Sequence, residues 1–135
     1  MSRLLLDTSA YSAWVRGYEP LMAPFQGASE LCLSVVVLGE LVAGFRAGGR
    51  RQENEKRLRQ FLASARVRVL GIDEETVPPY AAIHYELRRR GTPVGLNDVW
   101  IAATAYQHGL RVVTLDADFQ KIPQVVVEYI RPSQN

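Results

Sequence analysis

Four acids stand at positions where this chain could do chemistry. Asp7 ends the apolar run of "LLLDTSA", Glu40 interrupts "VVVLGELVAGF", Asp98 opens "DVWIAATA" and Asp116 ends "RVVTLD". An unpaired carboxylate is costly to bury. Clustered carboxylates repel, so one or more must take up a proton unless a cation intervenes. Neither lysine (Lys56, Lys121) and neither histidine (His84, His108) lies in these four motifs. A hard divalent ion resolves the repulsion: Mg²⁺ or Mn²⁺ prefers oxygen ligands, keeps several waters and takes one or two carboxylates directly. Thr8 and Ser9 would then orient waters or neighbouring carboxylates. Zinc does not fit, because Cys32, His84 and His108 have no ligand spacing. The chemistry suited to such a site is phosphodiester hydrolysis, with the metal polarising the phosphoryl oxygen and activating a water.

Each acid also has a plainer role. Asp7 can cap the helix that follows, and Asp98 can complement a helix dipole beside Asn97. Glu40 can sit at the surface between two apolar stripes, and Asp116 can start a turn toward Phe119. What argues beyond these roles is where the elements put the four together.

Leu4 to Leu6 read as a first strand and Tyr11 to Val15 as the next helix. Leu31 to Val35 read as a second strand. Val35 or Val36 to about Ala47 reads as a helix with Val37, Leu38, Leu41, Val42 and Phe45 on one stripe. Gly48 and Gly49 end it. Glu53 to Ala65 is a second helix with a narrow face of Leu58, Phe61 and Leu62, and "VRVLGI" alternates like a third strand. Asp73 to Arg90 reads as a long helix, Pro78 and Pro79 being tolerable only in its first turn. Asn97 is expected to cap a helix from Asp98 to His108, apolar nearly all round and therefore buried, with Trp100 in the core. "RVVTLD" and "VVVEYI" complete the strands. Strands alternating with helices imply an α/β fold with a mostly parallel sheet covered on both faces. Ligands in such sheets collect at the carboxyl ends of the strands, and all four acids face that rim.

The 135 residues, 47% hydrophobic, read as one globular domain over 1–135. No repeat, low-complexity tract or signal peptide is visible, and no apolar run approaches the ~20 residues of a membrane helix. Cys32, the single cysteine, is expected as a buried thiol, and a cytoplasmic location follows by default. The net charge of +2 is too mild to prove nucleic-acid binding. Its distribution says more, since fourteen of the sixteen basic residues are arginine, which suits phosphate recognition. They concentrate between Arg46 and Arg68 and in the block Arg88, Arg89 and Arg90.

"LLLDTSA", "LSVVVLGELVAG", "GTPVGLNDVWIAATAYQHGLRVVTLDADFQKIP" and the final "VVVEY" resemble the PIN-domain ribonucleases, in particular the VapC-type toxins of toxin–antitoxin systems. The resemblance runs from Leu4 to about Tyr129 and is most specific in "GLNDVWIAATA" followed by "VVTLDADF". It implies a three-layer fold with about five strands and a Mg²⁺- or Mn²⁺-dependent endoribonuclease. It maps the acidic site onto Asp7, Glu40, Asp98 and Asp116, with Asp7, Asp98 and Asp116 as metal ligands. Thr8 or Ser9 corresponds to the family's hydroxyl, and Asn97 joins them in support. Many relatives carry their last acid directly before the phenylalanine, which here is Asp118. Asp116 is preferred because it comes straight off the strand, and Asp118 is kept as a supporting candidate.

The resemblance also implies a homodimer and a small antitoxin that lays a helix in a groove and extends a basic group toward the acids. The helix pair carrying Phe45 and Phe61 is expected to form that groove, with Arg46 on its rim. Arg50, Arg51 and Arg57 are expected along the RNA path. Two other readings compete. An aspartyl-phosphate enzyme wants a second Asp two residues after Asp7, where Ser9 stands, and a receiver wants a late-strand lysine that "VVVEYI" lacks. A catalytically silent interaction module would be favoured by a missing acid, and none is missing.

Overall fold

A computed structural model of the chain describes residues 2–133. Five strands, β1 (Ser2–Leu6), β2 (Ala28–Ser34), β3 (Val67–Leu70), β4 (Arg111–Thr114) and β5 (Val127–Tyr129), form one sheet in the order β3-β2-β1-β4-β5. Every pair is parallel. The chain runs outward from β1 through α1 (Thr8–Val15) and α2 (Met22–Gly27) to β2, then through α3 (Val35–Ala47) and α4 (Arg51–Leu62) to β3. It returns through α5 (Val77–Arg90) and α6 (Leu96–His108) to β4 on the other side of β1. Right-handed crossovers running in opposite directions put their helices on opposite faces of the sheet. The central strand is therefore covered twice, which explains why Leu4, Leu5 and Leu6 are all apolar and all buried.

Local chemistry sets the element ends. The side chain of Ser34 accepts from the Val36 N–H and starts α3 directly off β2. Pro78 and Pro79 occupy the opening of α5, where their missing N–H groups cost nothing. Gly91 and Gly109 end α5 and α6 with φ of 66° and 65°, the left-handed conformation that a Cβ disfavours.

Several expected boundaries move. β2 begins at Ala28 rather than Leu31, and β3 stops at Leu70. α4 runs over Arg51–Leu62 instead of Glu53 to Ala65. The segment from Asp73 first makes a 3-10 turn, Glu74–Thr76, closed by a capping box between Asp73 and Thr76, so α5 proper starts at Val77. The short α2 has no counterpart in the sequence reading, because Pro24 and Gly27 mask its pattern; Phe25 anchors it in the core. Asn97 does not cap α6. Gly95 holds the cap position and Asn97 lies in the first turn. Val99 and Ile101 to Ala105 are buried as the pattern requires, but Trp100 is only half-buried and stacks on Tyr80 with ring centroids 3.7 Å apart. Cys32 is a buried free thiol. Among the described residues, no helix is long and apolar enough to cross a membrane.

Candidate active site

The sheet order changes direction at β1, so the carboxyl ends of β1 and β4 open onto the crevice where such folds bind ligands. Asp7 stands at that point. Its carboxylate caps α1 by accepting from the Ala10 N–H at 2.9 Å, and it also accepts from the Ser9 hydroxyl at 2.8 Å and the Thr114 hydroxyl at 2.6 Å. It is buried, and burial raises its pKa against the opposing effect of these three hydrogen bonds, with the charge on Asp116 adding to the rise. The helix-cap role expected for Asp7 is therefore real.

Thr114, the last residue of β4, does two jobs at this point. While donating to Asp7 it accepts from the Asp116 N–H at 2.8 Å, and so ties the first acid to the backbone of the fourth. Ser9 adds a second tie, accepting from the Leu115 N–H at 2.9 Å. The sequence reading missed Thr114. Its signal was present: it is the polar residue that follows the apolar pair of "RVVTL", and β1 pairs with β4 so that Leu6 lies beside Val113.

Asp116 caps the 3-10 turn Ala117–Lys121, accepting from the Asp118 N–H at 2.9 Å. That turn carries Asp118 inward. One carboxylate oxygen from each of Asp98, Asp116 and Asp118 lies within 4.8 Å of the other two. The tightest carboxylate group thus contains Asp118, expected only in support, and Asp7 lies outside it. Asp98, in the first turn of α6, has its pKa pushed up to about 7. Burial is the main cause, followed by the charges of Asp116, Asp7, Glu40 and Asp118 in that order, so all five acids act on one rim.

Glu40, in the second turn of α3, is half-buried and belongs to the rim. It accepts from the Thr8 hydroxyl at 2.6 Å and from the Asn97 side-chain amide at 3.3 Å, which links α1, α3 and α6 through one carboxylate. Thr8 and Asn97 therefore hold Glu40, and Ser9 holds Asp7. One correction concerns the cations. Lys121, excluded from the rim by its place in the sequence, pairs with Asp118 at 2.9 Å, because a single 3-10 turn brings the two together. Among the described residues, one lysine paired at a rim of five carboxylates leaves an anionic site of oxygen donors. Asp98, Asp116 and Asp118 form a group of hard oxygen donors that could hold a divalent ion.

The arginines expected along an RNA path lie on or before α4. Arg51 pairs with Glu55 at 3.0 Å and Arg57 with Glu53 at 3.7 Å, while Arg50 is exposed at the helix start. None of the three bonds to a rim acid among the described residues. A concave surface of about 780 Å³ opens between α4 and the α1–α2 pair and includes Trp14, Phe25, Arg57 and Phe61. Phe61 thus lines a groove. Phe45, half-buried on α3, and the exposed Arg46 lie outside it.

Residues 4–125 match the PIN domain family model. The chain belongs to the PIN domain family, within its VapC-type branch. It is similar to ribonuclease VapC4 of Mycobacterium tuberculosis, 38% identical over 95 residues that cover 70% of this chain and 73% of the relative. The tRNA(fMet)-specific endonuclease VapC of Salmonella typhimurium is 31% identical over 131 residues, covering 95% and 98% of the two chains. Among solved structures, DNA-bound VapBC from Salmonella typhimurium matches with a TM-score of 0.83 at 31% identity, over 95% of this chain and 98% of that one. VapBC-5 from Mycobacterium tuberculosis matches with a TM-score of 0.72 at 28% identity, over 98% and 100%. The wholly parallel sheet and its helices are the PIN fold, as the sequence motifs imply.

Proposed function

We propose that this chain is a Mg²⁺- or Mn²⁺-dependent endoribonuclease that hydrolyses RNA phosphodiester bonds and serves as the toxin of a toxin–antitoxin pair. The observation that carries the reading is the convergence of Asp7, Glu40, Asp98, Asp116 and Asp118 on one rim, where burial first and the neighbouring carboxylates second push the Asp98 carboxyl up to about 7. The names of the relatives, ribonucleases and a tRNA-specific endonuclease, support the substrate class. When bound, the ion supplies Lewis-acid polarisation of the phosphoryl oxygen and a water of lowered pKa. Asp98 and Asp116 would hold it, with Asp118 as the third carboxylate in place of the more deeply buried Asp7. Asp7 then fixes Asp116 through Thr114. Glu40, braced by Thr8 and Asn97, is the carboxylate free to orient a water or take its proton.

The partner proteins follow from the same comparisons. A small antitoxin, of the kind complexed with the VapBC neighbours, would lay an amphipathic helix in the groove walled by Trp14, Phe25 and Phe61. A homodimer and a cytoplasmic location belong to the same reading. The experiment is cleavage of total RNA by the purified chain. Cleavage should need Mg²⁺ or Mn²⁺, stop in excess EDTA, and be lost in Asp7→Asn and Asp98→Asn. Undiminished cleavage in EDTA or by Asp98→Asn overturns the metal mechanism.

A further inference from the structure

A second feature flanks the acids. On the side of α6 facing α5, a pocket of about 260 Å³ is bounded by His84, Leu87 and Arg88 of α5, by Val94, and by Leu96 and Val99 of α6. Its rim is open: Leu96 is 56% exposed although it is a large apolar side chain. The volume lies below the ~300 Å³ at which drug-sized sites begin, so it suits one planar ring better than a peptide segment. His84 also belongs to an aromatic column. It stacks on Tyr80 at 5.8 Å, and Tyr80 stacks on Trp100 at 3.7 Å.

The charge beside this pocket is unspent. In the block Arg88 to Arg90, Arg89 pairs with Glu86 at 2.6 Å, and Arg90 pairs with Glu86 and donates to the Lys121 carbonyl. Arg88 is exposed and has no ion pair or side-chain hydrogen bond among the described residues. Leu96 precedes Asp98 by two residues, about 200° away around the helix, so the pocket and the acids flank the N-terminal end of α6. No side chain caps that end, since Gly95 holds the cap position.

We infer that this pocket is a nucleotide subsite: it takes one nucleobase of a single-stranded RNA next to the cleaved bond. The base stacks beside His84 over Leu87 and Val99, Arg88 holds a phosphate, and the strand crosses the start of α6 to reach Asp98 and Asp116. The inference rests on the ribonuclease reading and adds the element that selects among RNA sequences, since single-stranded bases are read by stacking and side-chain contact. It also moves the RNA path from α4, where Arg51 and Arg57 are already paired with glutamates, to the α5–α6 face.

The test uses the full chain in EDTA and fluorescent oligo(A), oligo(C) and oligo(U), with binding read by anisotropy. The wild type should bind one homopolymer best. His84→Ala should weaken that complex by about 5- to 100-fold, the range for losing one base stack, and His84→Phe should restore it. Arg88→Ala should reduce the salt slope by about 0.7, one phosphate contact on a single strand. Arg89→Ala, whose charge is already paired, should stay within about two-fold. Equal losses for Arg88→Ala and Arg89→Ala, or no loss with His84→Ala, overturn the subsite while metal-dependent cleavage by the wild type keeps the ribonuclease reading. Oligomer mass that falls in Arg88→Ala with RNA affinity per chain unchanged assigns the face to a second copy and also overturns it. A wild type that binds no homopolymer overturns the subsite alone if it still cleaves total RNA, and both readings if it does not.

Discussion

Removing the charge of Asp98 should stabilise the metal-free protein, and the effect should depend on pH in a defined direction. The folded chain holds the Asp98 proton up to about pH 7, whereas the carboxyl's ordinary value is 3.8. Because the folded state binds that proton more tightly, the stability it contributes is complete below pH 3.8 and is lost as pH rises to about 7. The gap of roughly three pKa units corresponds to at most about 4 kcal/mol. Asp98 is only half-buried, so screening by solvent reduces the expected effect to about 1–2 kcal/mol. Asp98→Asn, in EDTA at pH 8, should therefore melt roughly 3–8 °C higher than the wild type, and the two should converge toward pH 4. Melting curves by circular dichroism across that range, with and without Mg²⁺, provide the measurement. Mg²⁺ should raise the wild type's melting temperature and leave the variant's nearly unchanged. A variant less stable than wild type at pH 8, or a difference that does not vary with pH, refutes the claim that ionised Asp98 destabilises the metal-free site.

Two more outcomes follow from the same geometry. Thr114→Val leaves an Asp7 oxygen and the Asp116 N–H without their shared partner, which should cost about 1–3 kcal/mol in urea unfolding; Thr114→Ser, which keeps the hydroxyl, should recover most of it together with cleavage. Trp14→Ala, on the groove beside α4, should weaken inhibition by a bound antitoxin in a cleavage assay, while Phe45→Glu, outside that groove, should leave inhibition intact.

The elements of the fold were legible because a wholly parallel sheet writes itself as apolar runs between amphipathic helices. "LLL" reads as a strand covered on both faces, and "DVWIAATA" as the start of a buried helix. What was not legible depended on turns. Asp118 and Lys121 are three residues apart, and only the 3-10 turn capped by Asp116 brings them together at the rim. Asn97 had the right chemistry for a cap, but Gly95 took that place, and the asparagine amide was left to reach Glu40 across from another helix. The shape of the groove depends on packing in the same way. The stripes of α3 and α4 were read as facing each other, yet Val37, Leu41 and Leu58 are consumed by the core. The open concavity formed against α2, the helix whose proline and glycine had hidden it.

The acids themselves mark the limit of a sequence reading in physical terms. Position along the chain assigned Asp7, Glu40, Asp98 and Asp116 to one rim, because Asp7 and Asp116 follow strands, Asp98 lies in the first turn of a helix and Glu40 lies just over one turn into another, all at the same end of the sheet. Their separate tasks depend on which hydrogen bonds each carboxylate already accepts. Asp7 accepts from Ala10, Ser9 and Thr114, so its charge is held by the fold, which is why the proposed part for it is to brace. Glu40 is held by Thr8 and Asn97. Asp98 accepts no hydrogen bond among the described residues and faces four other carboxylates, so it carries the uncompensated charge. A cation entering the site gains most from the group that the protein itself stabilises least, which makes Asp98 the residue on which metal binding and metal-free stability should trade against each other.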